Sequence, residues 1–219
     1  LPAHRATELE RNAVIAILRR FVATTLLLAT GAALAATPAP DALIRQVSTE
    51  VLETARNDKA IQAGDVSRVA ALVESKVMPH VDFEVVTRSA VGPQWRSASA
   101  EQRSRLQAEF KQLLIRVYAG ALTELKDQTV QITRMQAVQG STQVIVQSEV
   151  RGKGEPVKLD YRLDKRGDAG AESWKIIDVN VAGLWLVQNY RTQFAQELTK
   201  GGIDGLIGAL AERNKGGKS

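Results

Sequence analysis

The chain has 219 residues, 44% hydrophobic and 24% charged, with 29 basic and 24 acidic side chains and a net charge of +5. That balance supplies the apolar content of a packed globular chain and is neither that of a disordered polymer nor uniformly apolar. The lack of cysteine excludes disulfides, thiolate-held zinc, iron–sulfur clusters and thiol nucleophiles together. Only His4 and His80 supply imidazoles, so a metal site would need one histidine plus carboxylates; neither a metal nor another cofactor is expected.

The strongly apolar stretch runs from Phe21 to Ala36, introduced by Arg19-Arg20 and closing on Ala33-Leu34-Ala35. A basic lead, an apolar core and a small-spacer-small close are the three parts of a secretory leader. A membrane span needs about 20 apolar residues, and this shorter core is interrupted by Thr24, Thr25 and Thr30. Residues 1–35 are therefore expected to be a signal peptide cleaved after Ala35, the part before Leu18 being upstream sequence from an over-long start. The general secretory route would deliver residues 36–219 as one mature unit, helical over 41–126, a sheet over 129–181 and helical again over 184–213. The mature part carries 25 basic and 22 acidic residues, net +3 over 184 positions. Charges of both signs alternate, as in Asp160, Arg162, Asp164 and Lys165, so no continuous stripe for a phosphodiester backbone exists and nucleic acid is not expected as a partner.

After the stiff Thr37-Pro38-Ala39-Pro40 tether, Asp41 is placed to cap a helix carrying Leu43, Ile44, Val47, Val51 and Leu52 on one face, to about Arg56. Gly64-Asp65 starts a second helix with Val66, Val69, Leu72, Val73 and Val77 in step, limited by Pro79. Asp82 caps a third through Val91, ended by Gly92-Pro93. Ser99 and Gln102 have capping-box spacing, and Leu106, Phe110, Leu113, Leu114, Val117, Tyr118, Leu122 and Leu125 follow at steps of three and four. From Thr129 the period changes to two. Val130 and Ile132, Val144 to Val150, then Val157, Leu159, Tyr161 and Leu163 against Lys158, Asp160, Arg162 and Asp164 predict antiparallel strands with one wet face. Trp174 to Val181 adds a fourth strand, with glycine-bearing turns between strands that favour a meander. Beyond Gly183, Leu184, Val187, Tyr190, Phe194 and Leu198 restore helical spacing until Gly201-Gly202, and a last helix carries Ile203, Leu206, Ile207 and Leu210. The fold class is α+β: a twisted antiparallel sheet of about four strands packed by helices, with a helical lobe made from both chain ends.

Catalytic patterns are absent from the sequence. No Gly-x-Ser-x-Gly elbow occurs, and Gly152-Lys153-Gly154 lacks the second half of a phosphate loop. Asp82, two residues after His80 at a proline-led helix entry, is better suited to capping than to acid–base work. What remains is apolar surface in quantity and no reactive group, which points to a binder of something apolar while leaving open whether the apolar face is a cavity or a filled core.

Val77-Met78-Pro79-His80-Val81-Asp82-Phe83, Gln94-Trp95-Arg96 and Ser99-Ala100-Glu101-Gln102-Arg103 leading into Phe110 resemble the toluene-tolerance Ttg2/MlaC family of periplasmic phospholipid-binding proteins. So do Trp174, Asp178-Val179, Gly183, Asn189-Tyr190-Arg191, Phe194 and Gly202-Ile203-Asp204-Gly205-Leu206-Ile207, and the resemblance spans roughly residues 41–213. Ala182-Gly183-Leu184-Trp185 departs from it, because family members usually read Glu-Gly-Val-Ser there. The resemblance implies an NTF2-like sheet with a helical lobe enclosing an acyl-chain pocket. It also implies a periplasmic, monomeric shuttle of the Mla pathway, which maintains outer-membrane lipid asymmetry. Its partners would be phospholipid, the MCE-domain subunit of an inner-membrane ABC transporter and an outer-membrane lipoprotein/porin complex. The expected pocket lining is Val144, Val146, Val157, Leu159, Tyr161, Leu163, Ile177, Val179 and Val181 from the strands, with Leu114, Tyr118 and Tyr190 from helices. The competing readings are an NTF2-like enzyme using His80 or Asp160 as base, and a lipid-free adaptor or chaperone.

Overall fold

A computed structural model describes residues 38–167 and 172–216; the expected leader and residues 168–171 of the predicted turn lie outside the described residues. In chain order come α1 (Pro40–Asn57), α2 (Lys59–Gln62), α3 (Val66–Leu72), α4 (Phe83–Val91) and α5 (Ala100–Thr123). There follow β1 (Thr129–Ala137), β2 (Gln143–Arg151), β3 (Val157–Arg166), β4 (Ser173–Val181), β5 (Leu184–Trp185) and α6 (Leu186–Lys215).

Pro40 starts α1 because its fixed φ suits the first helical turn and its missing N–H is an orphan there anyway. The cap itself is Ala39, which has no side-chain bond to offer, so Asp41 is not the cap its position predicted; it sits in the first turn, where a carboxylate favours the helix dipole. The four-residue α2 is too short for periodicity to reveal. It depends on Asp58, whose Oδ1 accepts from the backbone N–H groups of Ala60 (2.9 Å) and Ile61 (3.2 Å). Asp65 caps α3 likewise, accepting from Ser67 (2.8 Å) and Arg68 (3.2 Å). Ahead of Pro79 the helix widens into a π turn (Val73–Val77) and then tightens into a 3-10 turn (Met78–His80), as expected where a proline withdraws a donor from the ladder.

Asp82 ties this segment to the sheet. Its Oδ1 accepts from the Val85 N–H (3.1 Å), its Oδ2 accepts from Arg166 Nε (2.9 Å), and its own N–H donates to the Ile176 carbonyl (3.0 Å). Val81 bridges Ile176 in parallel, and Arg166 also pairs with Asp164 at 3.1 Å. Asp164, assigned to the wet face by alternation, is only 7% exposed; it accepts from Thr142 Oγ1 at 2.5 Å and forms an ion pair with Arg166, which offset its lost hydration. The capping box of α5 is complete, Gln102 N–H donating to Ser99 Oγ (3.1 Å) and Ser99 N–H to Gln102 Oε1 (2.9 Å).

The sheet is an open antiparallel meander of five strands in sequence order. β5, only two residues long, adds to the four expected strands and takes Leu184, so the final helix begins two residues later than its periodicity indicates. The β4–β5 turn has positive φ at both central residues, Ala182 (51°) and Gly183 (95°), the pattern of a type I′ hairpin. Asn180 Oδ1 receives the Gly183 N–H at 2.8 Å, and Ala182 N–H donates to the Lys158 carbonyl at 3.0 Å. α6 bends at Gly202, where φ 60° and ψ −154° leave the helical region, as the Gly201-Gly202 pair foretold.

Among the described residues the buried apolar side chains form three clusters. The first joins α4, α5 and α6 around Phe110, Tyr190, Phe194 and Leu206. The second packs Leu43, Ile44 and Val47 of α1 against Val146, Leu163 and Ile176 of the sheet. The third gathers Ala55, Ile61, Val69, Leu72, Ala119 and Leu125.

Replacing Asp82 with Ala should lower unfolding free energy by about 1–2 kcal/mol in a denaturant titration, because a helix cap is lost and the partner of Arg166 goes with it. Ala182→Asn should raise stability by about 0.5–1 kcal/mol, since asparagine tolerates the left-handed conformation that costs alanine about 1–2 kcal/mol; an unchanged midpoint would show that the turn is unstrained.

Candidate functional site

The pairing register decides which side chains share the face of the sheet turned toward α1. Val144 opposes Leu163, Val146 opposes Tyr161, and Ser148 opposes Leu159; Leu159 in turn opposes Val181, Tyr161 opposes Val179 and Leu163 opposes Ile176. These residues share one face because successive side chains of a strand alternate. The register shifts beside Arg162 and Leu163, where β4 carries an extra residue, and such a bulge reverses the alternation beyond it. Ile176 consequently takes the inner position. Ile177, expected in the pocket lining, instead lines a groove on the opposite face with Arg162 and Asp178.

Burial grades along the inner face. Val146 and Leu163 are completely buried under α1, and Val144, Tyr161 and Val179 pack partly buried against them. Leu159 and Val181 are half-buried outside the three clusters, and Val157 is 46% exposed. The inner face therefore runs from a sealed core at one end to open apolar surface at the other. From the helices, Leu114 packs partly buried on the first cluster, Tyr190 is inside it, and Tyr118 is half-buried. The expected set is thus divided among two cores, a half-open margin and, for Ile177, the far side of the sheet.

Two features escaped sequence reasoning. Val51 and Val81 each touch two clusters, Val51 the second and third, Val81 the first and second, so they link the packing centres; neither the helical spacing of Val51 nor the position of Val81 between two helices could single them out. Ser148 interrupts the Val144, Val146, Val150 series with a polar residue only 1% exposed. Its hydroxyl donates to the Leu159 carbonyl at 2.8 Å, and it shares hydrogen bonding with Tyr161, which also meets Ser48 of α1. Burial raises the Tyr161 phenol above its ordinary value, with these hydroxyls opposing the shift. The break in the valine series was the available signal.

Phe110 sits at the centre of the aromatic cluster, its ring 4.9 Å from Tyr190 and 5.0 Å from Phe194 in edge-to-face contacts and 5.8 Å from Phe83. Burial pushes the Tyr190 phenol up to about 12, with Tyr118 adding to the rise. His80 is pushed below its ordinary value by burial and the nearby Lys175, with Glu50 opposing. Its neighbour Asp82 is engaged by Val85 and Arg166. Asp160 lies opposite Gln147 and Asn180 on the outer face. Among the described residues no His, Asp or Glu grouping could hold a metal ion.

Residues 45–212 match the family described as MlaC protein. The chain belongs to that family. It is 26% identical over 184 residues to the intermembrane phospholipid transport system binding protein MlaC of Haemophilus influenzae, covering 84% of this chain and 85% of that one. It is also 26% identical over 206 residues to the toluene tolerance protein ttg2D of Pseudomonas putida, covering 91% and 94% respectively. Among solved structures it resembles a phospholipid-binding protein from Ralstonia solanacearum in complex with a phospholipid, with 40% identity, a TM-score of 0.75, and coverage of 80% of this chain and 97% of that one.

The Tyr190 shift has a checkable consequence. Between the ordinary phenol value of about 10 and the folded value of about 12, the unfolded chain has released a proton that the folded chain keeps, so stability falls as pH rises through that window. Tyr190→Phe should flatten that part of the stability profile in urea melts at successive pH values; an unaltered slope would mean that Tyr190 titrates normally.

Proposed function

We propose that this chain is an exported phospholipid carrier that holds acyl chains against the half-open inner margin of its sheet and breaks no covalent bond. The observation that carries this reading is the 40% identity, over 80% of the chain, to a protein solved with a phospholipid bound. The grading from sealed Val146 and Leu163 to half-buried Leu159 and Val181 supports it, since cargo needs apolar surface that the protein's own side chains leave uncovered.

The energetics explain why a carrier is useful. At about 0.8 kcal/mol per methylene, two acyl chains with roughly 30 methylenes would cost about 20–25 kcal/mol to expose fully to water. A pocket shelters the chains about as well as a bilayer does, so transfer between them is close to balanced, and direction is left to whatever partner receives the lipid. In this reading Leu159, Tyr161, Val179, Val181 and Tyr118 contact acyl chains, Leu114 and Tyr190 back them, and Val157 stands at the rim. Val144, Val146 and Leu163 serve as the floor and the α1 core. The protein works in the periplasm as a monomer, exchanging lipid with an MCE-domain subunit of an inner-membrane ABC transporter and with an outer-membrane lipoprotein/porin complex.

Native mass spectrometry of the protein purified from a bacterial periplasm, followed by lipid identification, should find phospholipid at a stoichiometric level. Leu159→Asp, which places a charge among the chains, should abolish co-purification while a circular-dichroism melt shows a folded protein. If a folded Leu159→Asp and a folded Tyr161→Asp both keep normal lipid, the inner margin is not the site; a lipid-free native mass that persists after incubation with liposomes overturns the carrier reading itself.

A further inference from the structure

The helical lobe carries a patch of one sign that the mixed charges of the sequence conceal. No Asp or Glu occurs between Glu84 and Glu101, nor between Asp178 and Glu197. The fold brings these two runs together, because α4 packs on the first half of α6 in the aromatic cluster. Four arginines gather where they meet, around the 3-10 turn Gly92–Ser97 that leads from α4 to α5. Arg88 stands one helical turn before it, its carbonyl accepting from the Gly92 N–H. Arg96 lies within the turn, and Arg103 of α5 reaches back to it, Nε donating to the Trp95 carbonyl at 3.2 Å and Nη2 to the Arg96 carbonyl at 3.3 Å. Arg191 of α6 lies across Gly92, where an added Cβ would stand 3.5 Å from its Nε and 3.6 Å from its Nη2.

Arg88, Arg96 and Arg191 are exposed, and among the described residues none of the four forms an ion pair. The acids that border the patch do not neutralise it. Glu84 and Glu101 pair with none of the four, Glu197 lies beside Lys200 and Arg213, and Asp204 accepts from Gln102 at 2.9 Å. Only Arg103 has a bonding role in the turn, so local structure does not account for the other three. Gathering like charges on a folded surface is unfavourable through their mutual repulsion, while the field they sum to acts on charged molecules in solution.

We propose that this patch is a docking surface for a carboxylate-rich face of a protein partner. Charge complementarity requires an anionic occupant, and the side chains present select among anions. The exposed large hydrophobic residues, Val66, Val117, Met135, Val157 and Leu184, all lie outside the patch, which therefore has none of the apolar anchors with which a peripheral protein enters a bilayer interface. Trp95 in the turn is only 4% exposed, so it offers no ring on which a base could stack. What the patch does present is arginine, whose planar fork meets a carboxylate through two parallel hydrogen bonds and which is enriched at protein interfaces where lysine is depleted. A field of one sign also draws an acidic partner in before contact and speeds association. The proposal deepens the carrier reading and rests on it for the purpose of docking: a carrier must meet the partner that receives its lipid. None of the four arginines belongs to the inner margin, so recognition of the partner and shelter of the cargo fall to different residues.

The test measures binding of the purified protein to immobilised poly-L-glutamate, a polypeptide that presents carboxylates and little else. Combining Arg88→Gln, Arg96→Gln and Arg191→Gln should weaken binding roughly tenfold, about what three exposed ion pairs are worth together. Combining Lys59→Gln, Lys126→Gln and Lys153→Gln, which removes the same charge from exposed lysines elsewhere, should weaken it less than about twofold, since those charges lie outside the contact. Raising sodium chloride to about 0.5 M, where the screening length falls to about 4 Å, should erase the difference. Arg88→Gln with Arg96→Gln, which leaves the Arg191 contact on Gly92 in place, should show a smaller loss in the same direction and decides the matter if the triple arginine variant does not fold. Equal weakening in the two triple variants, no binding to poly-L-glutamate, or binding that survives high salt overturns the inference. Patch-dependent binding to phosphatidylglycerol vesicles that equals or exceeds binding to poly-L-glutamate also overturns it, by making the surface a membrane contact. Lipid-free protein that still binds poly-L-glutamate through the patch sinks the carrier reading alone; lipid-loaded protein that ignores it sinks this proposal alone.

Discussion

The structure depends on how one apolar sheet face is covered. Burial is worth about 25 cal/mol per Å², so Val146, Leu163 and Ile176 must be kept from water, and Leu43, Ile44 and Val47 of α1 do this. A single 18-residue helix, about 27 Å long at 1.5 Å per residue, covers only part of a five-stranded sheet. The rest of the face, from Leu159 and Val181 to Val157, lies at a half-buried or exposed margin. A sheet only partly covered by its own helices has apolar surface left for something else to cover, and that is the physical basis of the carrier reading.

The joints around this margin are polar and specific where the packing is not. Asp82 combines a helix cap, an ion pair to Arg166 and a backbone bond to Ile176, so three separate elements are held by one residue. Two residues beyond Ile176 on β4, Asp178 joins the bulge to the start of α6. Asn214 anchors the far end of α6 by donating to the Glu109 carbonyl and carboxylate at 2.9 and 2.7 Å, while Arg116 bonds its carbonyl. Dividing the apolar interior into three clusters requires such directional ties, because each cluster alone buries little and dispersion contacts do not define relative orientation.

The titratable groups singled out as candidate bases are held in structural contacts or lie away from α1. His80 and Asp82 are two residues apart in sequence, yet Asp82 is committed to Val85 and Arg166 and His80 is depressed by burial beside Lys175. Asp160 faces the side of the sheet away from α1. Tyr161, Tyr190 and Asp178 owe their shifts first to burial, and the neighbours of Asp178 at Val179 and Val187 are structural donors. Perturbed values can mark active sites, but these three mark where the fold has enclosed polar atoms.

Local order was legible wherever a local cause acts. The capping box at Ser99 and Gln102, the Asp82 cap, the bend at Gly202 and the meander of long strands all follow from hydrogen-bonding capacity, backbone freedom or periodicity within a few residues of sequence. The family was legible as well, since its motifs lie in those same local joints. The bulge at Ile177, the burial of Asp164 and the transfer of Leu184 into a fifth strand were not. Each depends on which residue of a neighbouring strand, or which distant donor, stands opposite: Arg162 for Ile177 and Asp178, Thr142 and Arg166 for Asp164, Val181 for Leu184. One residue's shift in register reverses the face of every side chain beyond it. Alternation within a strand could therefore identify an apolar face, while tertiary pairing alone decided which residues occupy it, how far α1 covers it and where apolar surface stays open.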